Sequence, residues 1–219
     1  MKQFPFRGVA EIDIGYARAL CMRITYVGEL GYELYIPVEQ SQYVYDLITS
    51  HEDKFQLKHA GLRALGSLRM EKAYRDYGHD IDNTDTILEC GLGFTCDFGK
   101  PEGFIGMEQV LSQKKKAKED GGHRKRMAQV LLQDPDPLMH HGEVLWRNGK
   151  RVSEIRSASY GHTLGAAVGL TMLENDDPIN KKWIQEGTWS VEIAGDMFPC
   201  TVSLAPLYDP KNERIKCDF

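Results

Sequence analysis

Apolar residues along this chain follow two periods, and the place where one gives way to the other suggests its organisation. Residues 6–14 alternate like a strand, with no helix or cap before them. Ala19 to Ile24 and Glu33 to Ile36 read as two further strands, the second closed by Pro37. The Gly-bearing stretch Gly28 to Gly31 joins them, which predicts a hairpin with a long loop. Tyr43, Val44, Leu47 and Ile48 then fall at helical spacing and predict a helix over Glu39–Thr49. A second predicted helix runs from Leu57 to Arg75 without proline, with Leu62, Leu65, Leu68 and Lys72 near one face. Gly61 and Gly66 lie inside it; such a glycine costs about 1 kcal/mol in an exposed helix interior and often marks close approach of another backbone.

A turn-rich loop, Tyr77-Gly78-His79-Asp80-Ile81-Asp82-Asn83, follows. Pro101-Glu102-Gly103-Phe104-Ile105-Gly106 then leads into a third predicted helix, Met107 to about Lys118. The charged, glycine-bearing stretch from Lys116 to Arg126 predicts a boundary, so the expected domains are 1–120 and 121–219. Beyond it short strand-like runs alternate with turns: Met127–Leu132, Val144–Arg147, Arg151–Arg156, Ala166–Met172, Trp189–Ile193 and Cys200–Leu204. Asn148-Gly149 between two of them is a strong hairpin signal. Several short strands at this spacing predict a small β-barrel or sandwich, and the whole chain reads as α+β.

Composition narrows the class. The chain has 219 residues, 42% of them hydrophobic, which supports a real core. The net charge of -5, with both signs interleaved, argues against a nucleic-acid-binding surface. The five cysteines are odd in number and include no Cys-x-x-Cys pair, so reduced thiols are expected rather than a zinc site or disulfide framework. No run approaches the ~20 apolar residues of a spanning helix. Met1-Lys2-Gln3-Phe4-Pro5 does not resemble a secretory leader. A soluble protein of the cytoplasm or the mitochondrial matrix is the expectation.

The most suggestive chemistry lies in the hairpin loop, Tyr26-Val27-Gly28-Glu29-Leu30-Gly31-Tyr32-Glu33. A carboxylate such as Glu29 can accept paired N–H donors from the edge of a flat heterocycle, and Tyr26 can pack against it. Plain turn chemistry explains the same residues. Ser157, Ser159, Tyr160 and His162 form a second polar cluster, read either as a barrel turn or as a ligand-facing loop. His79, Asp80, Asp82 and Asp85 fit no metal-loop spacing and suit turns instead. His140 and His141 are expected in solvent, Trp183 and Trp189 in barrel packing, and Lys72 and Arg75 on a solvated helix face. The basic run Lys114–Lys118 reads as a solvated helix end or as a dock for an anionic tail such as folate glutamates.

The order of motifs adds to this. The hairpin loop is followed by Gly61-Leu62-Arg63-Ala64-Leu65-Gly66-Ser67-Leu68-Arg69-Met70-Glu71-Lys72. Tyr77-Gly78-His79-Asp80-Ile81, Leu88-Glu89-Cys90-Gly91-Leu92 and Phe104-Ile105-Gly106 come next, and Leu207-Tyr208-Asp209-Pro210-Lys211-Asn212-Glu213-Arg214-Ile215-Lys216 ends the series. Over essentially the whole chain this succession resembles the aminomethyltransferase (glycine cleavage T-protein) family. It is most similar to the C-terminal folate-binding region of sarcosine and dimethylglycine dehydrogenases.

The resemblance implies the C-terminal part of an aminomethyltransferase folate-binding fold, followed by a small β-barrel domain. It implies tetrahydrofolate as cofactor, with Glu29 on the pterin, Tyr26 in the same loop, and Ser159 and Tyr160 facing the folate. The implied reaction passes a one-carbon unit from an N-methyl amine-derived iminium to tetrahydrofolate, giving 5,10-methylenetetrahydrofolate. The implied partner is an FAD-binding oxidase domain or subunit. Two departures stand out. Leu65 and Gly66 occupy the place of the T-protein Arg-Asp, and the family's catalytic Asp belongs to an N-terminal portion expected to be missing here. A T-protein proper is an alternative expectation that the missing Arg counts against, and the missing catalytic Asp leaves a non-catalytic regulatory or scaffold member as another.

Overall fold

The computed structural model describes residues 4–217. In chain order its elements begin with β1 (Val9–Ile14), β2 (Ala17–Met22), β3 (Glu33–Tyr35), α1 (Ser41–Thr49), α2 (Glu52–Phe55), α3 (Leu62–Glu71) and α4 (Met107–Asp120). There follow β4 (His123–Leu132), β5 (Val144–Arg147), β6 (Lys150–Gly161), β7 (Ala166–Ile179), α5 (Lys181–Gln185), β8 (Trp189–Ile193), β9 (Asp196–Ser203) and α6 (Glu213–Lys216). The α+β expectation holds, with a barrel at its C-terminal end. The leader argument rested partly on Met1 to Gln3, which lie outside the described residues. Packing groups the chain into two compact units, Met1–Arg69 with Lys211–Phe219, and Met70–Pro210.

In the first unit β1, β2 and β3 form an antiparallel sheet in that order. Ala17, Ala19 and Cys21 are buried, while Arg18 and Leu20 between them are exposed, the period of two that a half-buried strand imposes. Gly15 turns between β1 and β2 at φ 62, where a Cβ would run into the Tyr43 hydroxyl. That hydroxyl accepts the Tyr16 N–H at 3.2 Å. Arg23, just after β2, is buried; it donates to the Phe4 carbonyl at 2.8 Å and to the Cys217 carbonyl at 2.7 Å, tying both ends of this unit to the sheet.

α3 is shorter at both ends than its sequence pattern predicts. At its C-terminal end Ala73 sits at φ 53, and a left-handed residue cannot continue an α-helix. The leucine face is not the buried one either: Leu62 is 84% exposed, while Ser67, Arg69 and Met70 are buried. Nor is Gly66 a close-packing glycine, because a Cβ there would meet nothing within 4 Å. Gly66→Ala is therefore expected to stabilise the protein by about 0.5–1 kcal/mol, through helix propensity and a less flexible unfolded chain. Urea titration reads this directly, and a lowered midpoint would show that Gly66 serves a purpose beyond the helix.

In the second unit six strands close a barrel in the order β4-β7-β6-β5-β8-β9. Asn148 and Gly149, at φ 50 and 74, make the two-residue hairpin turn between β5 and β6 that their identities predict. β7 is buried along its first eight residues because both of its faces are covered. Ala167 and Leu173 point into the barrel core with Val130, Leu145, Ile155 and Val191. Val168, Leu170 and Met172 point the other way, into a cluster with Met70, Ala73, Cys90 and Met127. That second cluster joins the segment after α3 to the barrel wall. Trp189 packs edge-on to Trp183 at 5.4 Å, and the Arg147 guanidinium lies 4.1 Å above the Trp183 ring.

The Lys116–Arg126 stretch forms the end of α4, a turn through Gly121 (φ 82) and Gly122 (φ 148), and the start of β4. All five cysteines are free thiols. No helix among the described residues is long and apolar enough to cross a membrane.

Candidate functional site

Between β2 and β3 the chain runs without regular structure through Tyr26 and Glu29. Gly28 is buried at φ 75, a conformation that strongly favours glycine and lets the loop fold back on itself. The Thr25 hydroxyl accepts the Val27 N–H at 3.2 Å and fixes the entry to the loop. Tyr26 and Glu29 flank Gly28 and are both half-buried. The Tyr32 ring stacks on Phe4 at 5.9 Å with 9° between planes.

Ser159 and Tyr160 stand on β6, in the second unit, opposite Val168 and Ala167 of β7. The Tyr160 hydroxyl donates to the Gly165 carbonyl at 2.9 Å, across the β6–β7 turn, and its ring meets His162 edge-on at 5.2 Å. Tyr26 and Glu29 thus share one loop of the first unit, and Ser159 and Tyr160 share one strand of the second. His140 and His141 are exposed, as expected.

Two polar clusters in the second unit were not foreseen. The first corrects the reading of Lys72 as a solvated residue: its side chain has no exposed surface. The chain leaves α3 at Glu71 and turns inward, so the helical face that would have carried Lys72 into water does not exist. Its ammonium pairs with an Asp209 carboxylate oxygen and with the Asp209 carbonyl, both at 2.8 Å. Next to it the buried Glu71 carboxylate accepts the N–H groups of Thr163 and Leu164 at 2.7 and 2.8 Å. Gln129 of β4 completes the clasp. Its amide N–H group donates to the Met70 carbonyl at 2.7 Å, and its oxygen accepts the Leu207 N–H at 2.7 Å. Two of the motifs that carried the resemblance are therefore partners: the one ending in Glu71-Lys72 and the one containing Asp209. Arg75 is likewise not a solvated residue. Its Nε donates to the Cys90 carbonyl at 3.0 Å, and burial lowers its guanidinium pKa.

The second cluster ties the Tyr77–Asp85 loop to the barrel. Asp80 is fully buried; its carboxylate accepts the Asp76 N–H at 2.7 Å and the Ser157 hydroxyl. The Asp85 side chain has no exposed surface and accepts from Arg156 at 2.6 Å and from Lys125 at 2.8 Å. Burial alone would raise the Asp85 pKa, but the hydrogen bonds from Arg156, Lys125 and the Asp82 backbone outweigh it and hold the carboxyl at about 2. Arg156 also donates to the Asp80 carbonyl at 2.7 Å. Asp80 and Asp85 are thus committed to folding contacts. Among the described residues no group of three or more His, Cys, Asp or Glu is placed to hold a metal ion. A polar cleft of about 680 Å³ opens beside this loop, lined by His79, Asp82, His141, Arg151 and Glu154 among others.

These features have counterparts in known proteins. Residues 1–100 match the glycine cleavage T-protein N-terminal domain, and residues 125–209 match the glycine cleavage T-protein C-terminal barrel domain. The chain is 41% identical to 4-methylaminobutanoate oxidase (formaldehyde-forming) of Paenarthrobacter nicotinovorans, over 95% of this chain and 24% of that protein. It is 34% identical to mitochondrial sarcosine dehydrogenase of Homo sapiens, over 89% of this chain and 21% of that protein. The chain therefore spans about a quarter of the length of these relatives. The fold matches the glycine cleavage system aminomethyltransferase T of Bartonella henselae with a TM-score of 0.77 at 20% identity, covering 96% of this chain and 54% of that one. The hairpin loop falls within the N-terminal domain match, the six-stranded barrel coincides with the C-terminal one, and the chain belongs to the aminomethyltransferase (glycine cleavage T-protein) family.

Proposed function

We propose that this chain is a tetrahydrofolate-binding region of the sarcosine and dimethylglycine dehydrogenase type, which receives a one-carbon unit from an N-methyl amine-derived iminium. The observation that carries the reading is the loop around Gly28. Its left-handed turn lies between Tyr26 and Glu29, both half-buried, inside the segment that matches the family's N-terminal domain. In this reading the Glu29 carboxylate accepts the paired N–H donors of the pterin edge and Tyr26 covers the ring. The name of one relative states that its reaction forms formaldehyde. A bound folate amine would capture such a carbon before it diffuses away, which is catalysis by proximity. The oxidation that releases the carbon would fall to an FAD-binding domain or subunit, in the cytoplasm or the mitochondrial matrix.

Glu29→Ala is expected to weaken tetrahydrofolate binding by about 1.5–3 kcal/mol, the worth of hydrogen bonds to a charged group. Calorimetry on the two proteins decides it, and equal affinities would remove Glu29 from the site. We also propose 1–120 and 121–219 as the two domains of the sequence, divided at Gly121 and Gly122, with residues 70–120 packed in one compact unit with the barrel. Trypsin should then cut first between Lys116 and Arg126, a pattern that mass spectrometry reads; first cleavage elsewhere would refute the division.

A further inference from the structure

In the first unit the segment before β1 folds back onto the loop that carries Tyr26 and Glu29. Pro5 to Gly8 make a tight turn, with Arg7 at φ 71 and the Gly8 N–H donating to the Pro5 carbonyl at 2.8 Å. A Cβ on Gly8 would lie 2.8 Å from that same carbonyl oxygen, so the turn has no room for a side chain there. Arg23 fastens this turn to the end of β2. Its N–H donates to the Gly8 carbonyl at 3.0 Å, and its carbonyl accepts the Arg7 N–H at 2.8 Å. Arg23 is 5% exposed. One guanidinium nitrogen donates to the Phe4 carbonyl at 2.8 Å and another to the Cys217 carbonyl at 2.7 Å. Phe4, placed in this way, stacks its ring on Tyr32. Tyr32 follows Gly31, where the loop returns to its own entry: a Cβ on Gly31 would lie 3.5 Å from the Ile24 carbonyl oxygen. Arg23 therefore holds both stems of the loop, the entry through its own backbone and the exit through Phe4 and Tyr32.

We propose that Arg23 is a positioning residue for the Tyr26–Glu29 loop, acting through Phe4 on one side and α6 on the other. The residue type suits the task. A guanidinium presents donors from separate nitrogens in a rigid plane and can span two carbonyls, whereas a lysine ammonium is a single point of donation. The task exists because the connection from β2 to β3 has no regular structure, and such a segment opens locally unless its ends are held from outside. α6 follows the barrel in sequence, yet its Ile215 is buried and the Cys217 carbonyl just beyond it rests on Arg23, so a segment far from the loop in sequence helps to hold it. The inference deepens the folate reading by naming what fixes the geometry of that site, and it rests on that reading only for the identity of the ligand.

The test is hydrogen exchange, read by mass spectrometry, on the full chain and on Phe4→Leu, Phe4→Tyr and Arg23→Lys. Phe4→Leu should speed exchange across residues 26–32 by about 2–10-fold, the effect of losing one stacked ring pair, while α1 and the barrel strands keep the parent rates. Phe4→Tyr keeps the stack and should return the loop to the parent rate. Arg23→Lys should speed the loop more than Phe4→Leu does, because it loosens both sides of the clasp. Unchanged loop exchange in Phe4→Leu overturns the proposal. A rise shared equally by β1, α1 and the loop also overturns it, because Arg23 and Phe4 would then support the unit in general. So does Phe4→Tyr exchanging as fast as Phe4→Leu. Should Arg23→Lys fail to fold, the two Phe4 variants decide. Saturating tetrahydrofolate should slow the same loop amides in parent and Phe4→Leu alike, since a ligand bound to the closed loop opposes its opening. Slowing nowhere in the chain would remove the folate reading alone, and the exchange rates without ligand would still decide the role of Arg23.

Discussion

Asp209→Asn is expected to destabilise the protein by about 3–5 kcal/mol, the cost of leaving a buried charge without its counter-ion. The Lys72 side chain has no exposed surface, and its ammonium rests on the Asp209 carboxylate at 2.8 Å. Asparagine suits the site in other respects. Asp209 sits at φ 42, a left-handed conformation that asparagine tolerates, and the contact from Lys72 to the backbone carbonyl at 2.8 Å is kept. The loss should therefore report the charge and not the backbone. Pairing the change with Lys72→Met should recover much of it, because an apolar side chain of similar length needs no counter-ion. Urea midpoints of the parent, the single and the double variant measure both steps. A double variant no more stable than the single one would show that the pair holds its surroundings by packing rather than by charge.

Asp85→Asn should cost at least about 2 kcal/mol at neutral pH, since it removes a buried carboxylate from Arg156 and from Lys125, which keeps Glu174 at 3.6 Å. It carries a second signature in pH. The folded carboxyl sits at about 2, below its ordinary value of 3.8, so the folded state prefers the ionised form. The stabilisation is complete above the ordinary value and is lost as pH falls from about 4 through about 2; the proton-linked part amounts to about 2 kcal/mol. The difference between parent and variant should therefore stay constant from pH 7 to 5 and narrow below 4. A difference that ignored pH down to 2 would mean that Asp85 is not ionised in the fold.

Both predictions concern residues whose importance the sequence conceals. Lys72 falls on the expected face of a helical pattern, where solvent is the ordinary reading of a lysine. Asp209 is 137 positions away, and no local pattern joins the two. Asp85 and Arg156 are 71 positions apart. Asp80 shows the same concealment: its place in a turn-rich loop is legible, but its full burial against Ser157 depends on the strand that packs over it. A signal for the first pair was present all the same, because Lys72 and Asp209 each lie in a motif that carries the family resemblance. The hairpin loop was legible as a loop, and the left-handed turn that flanks Gly28 with Tyr26 and Glu29 became visible only in three dimensions.

By itself the sequence determined what repeats at short range. Short strand-like runs separated by turns marked the strands of the barrel, Asn148-Gly149 its hairpin turn, and helical spacing α1, because side-chain direction along a regular backbone is a local property. The succession of motifs placed the chain in its family. Tertiary structure decided the C-terminal limit of α3, which is set by the left-handed Ala73 rather than by leucine spacing. It also decided which strand would be covered on both faces, and which charges would be taken out of water. A buried ion needs its partner within about 3 Å, and only the closed barrel, with the Glu71–Ala73 segment clasped against it, brings Lys72 to Asp209 and Asp85 to Arg156 and Lys125.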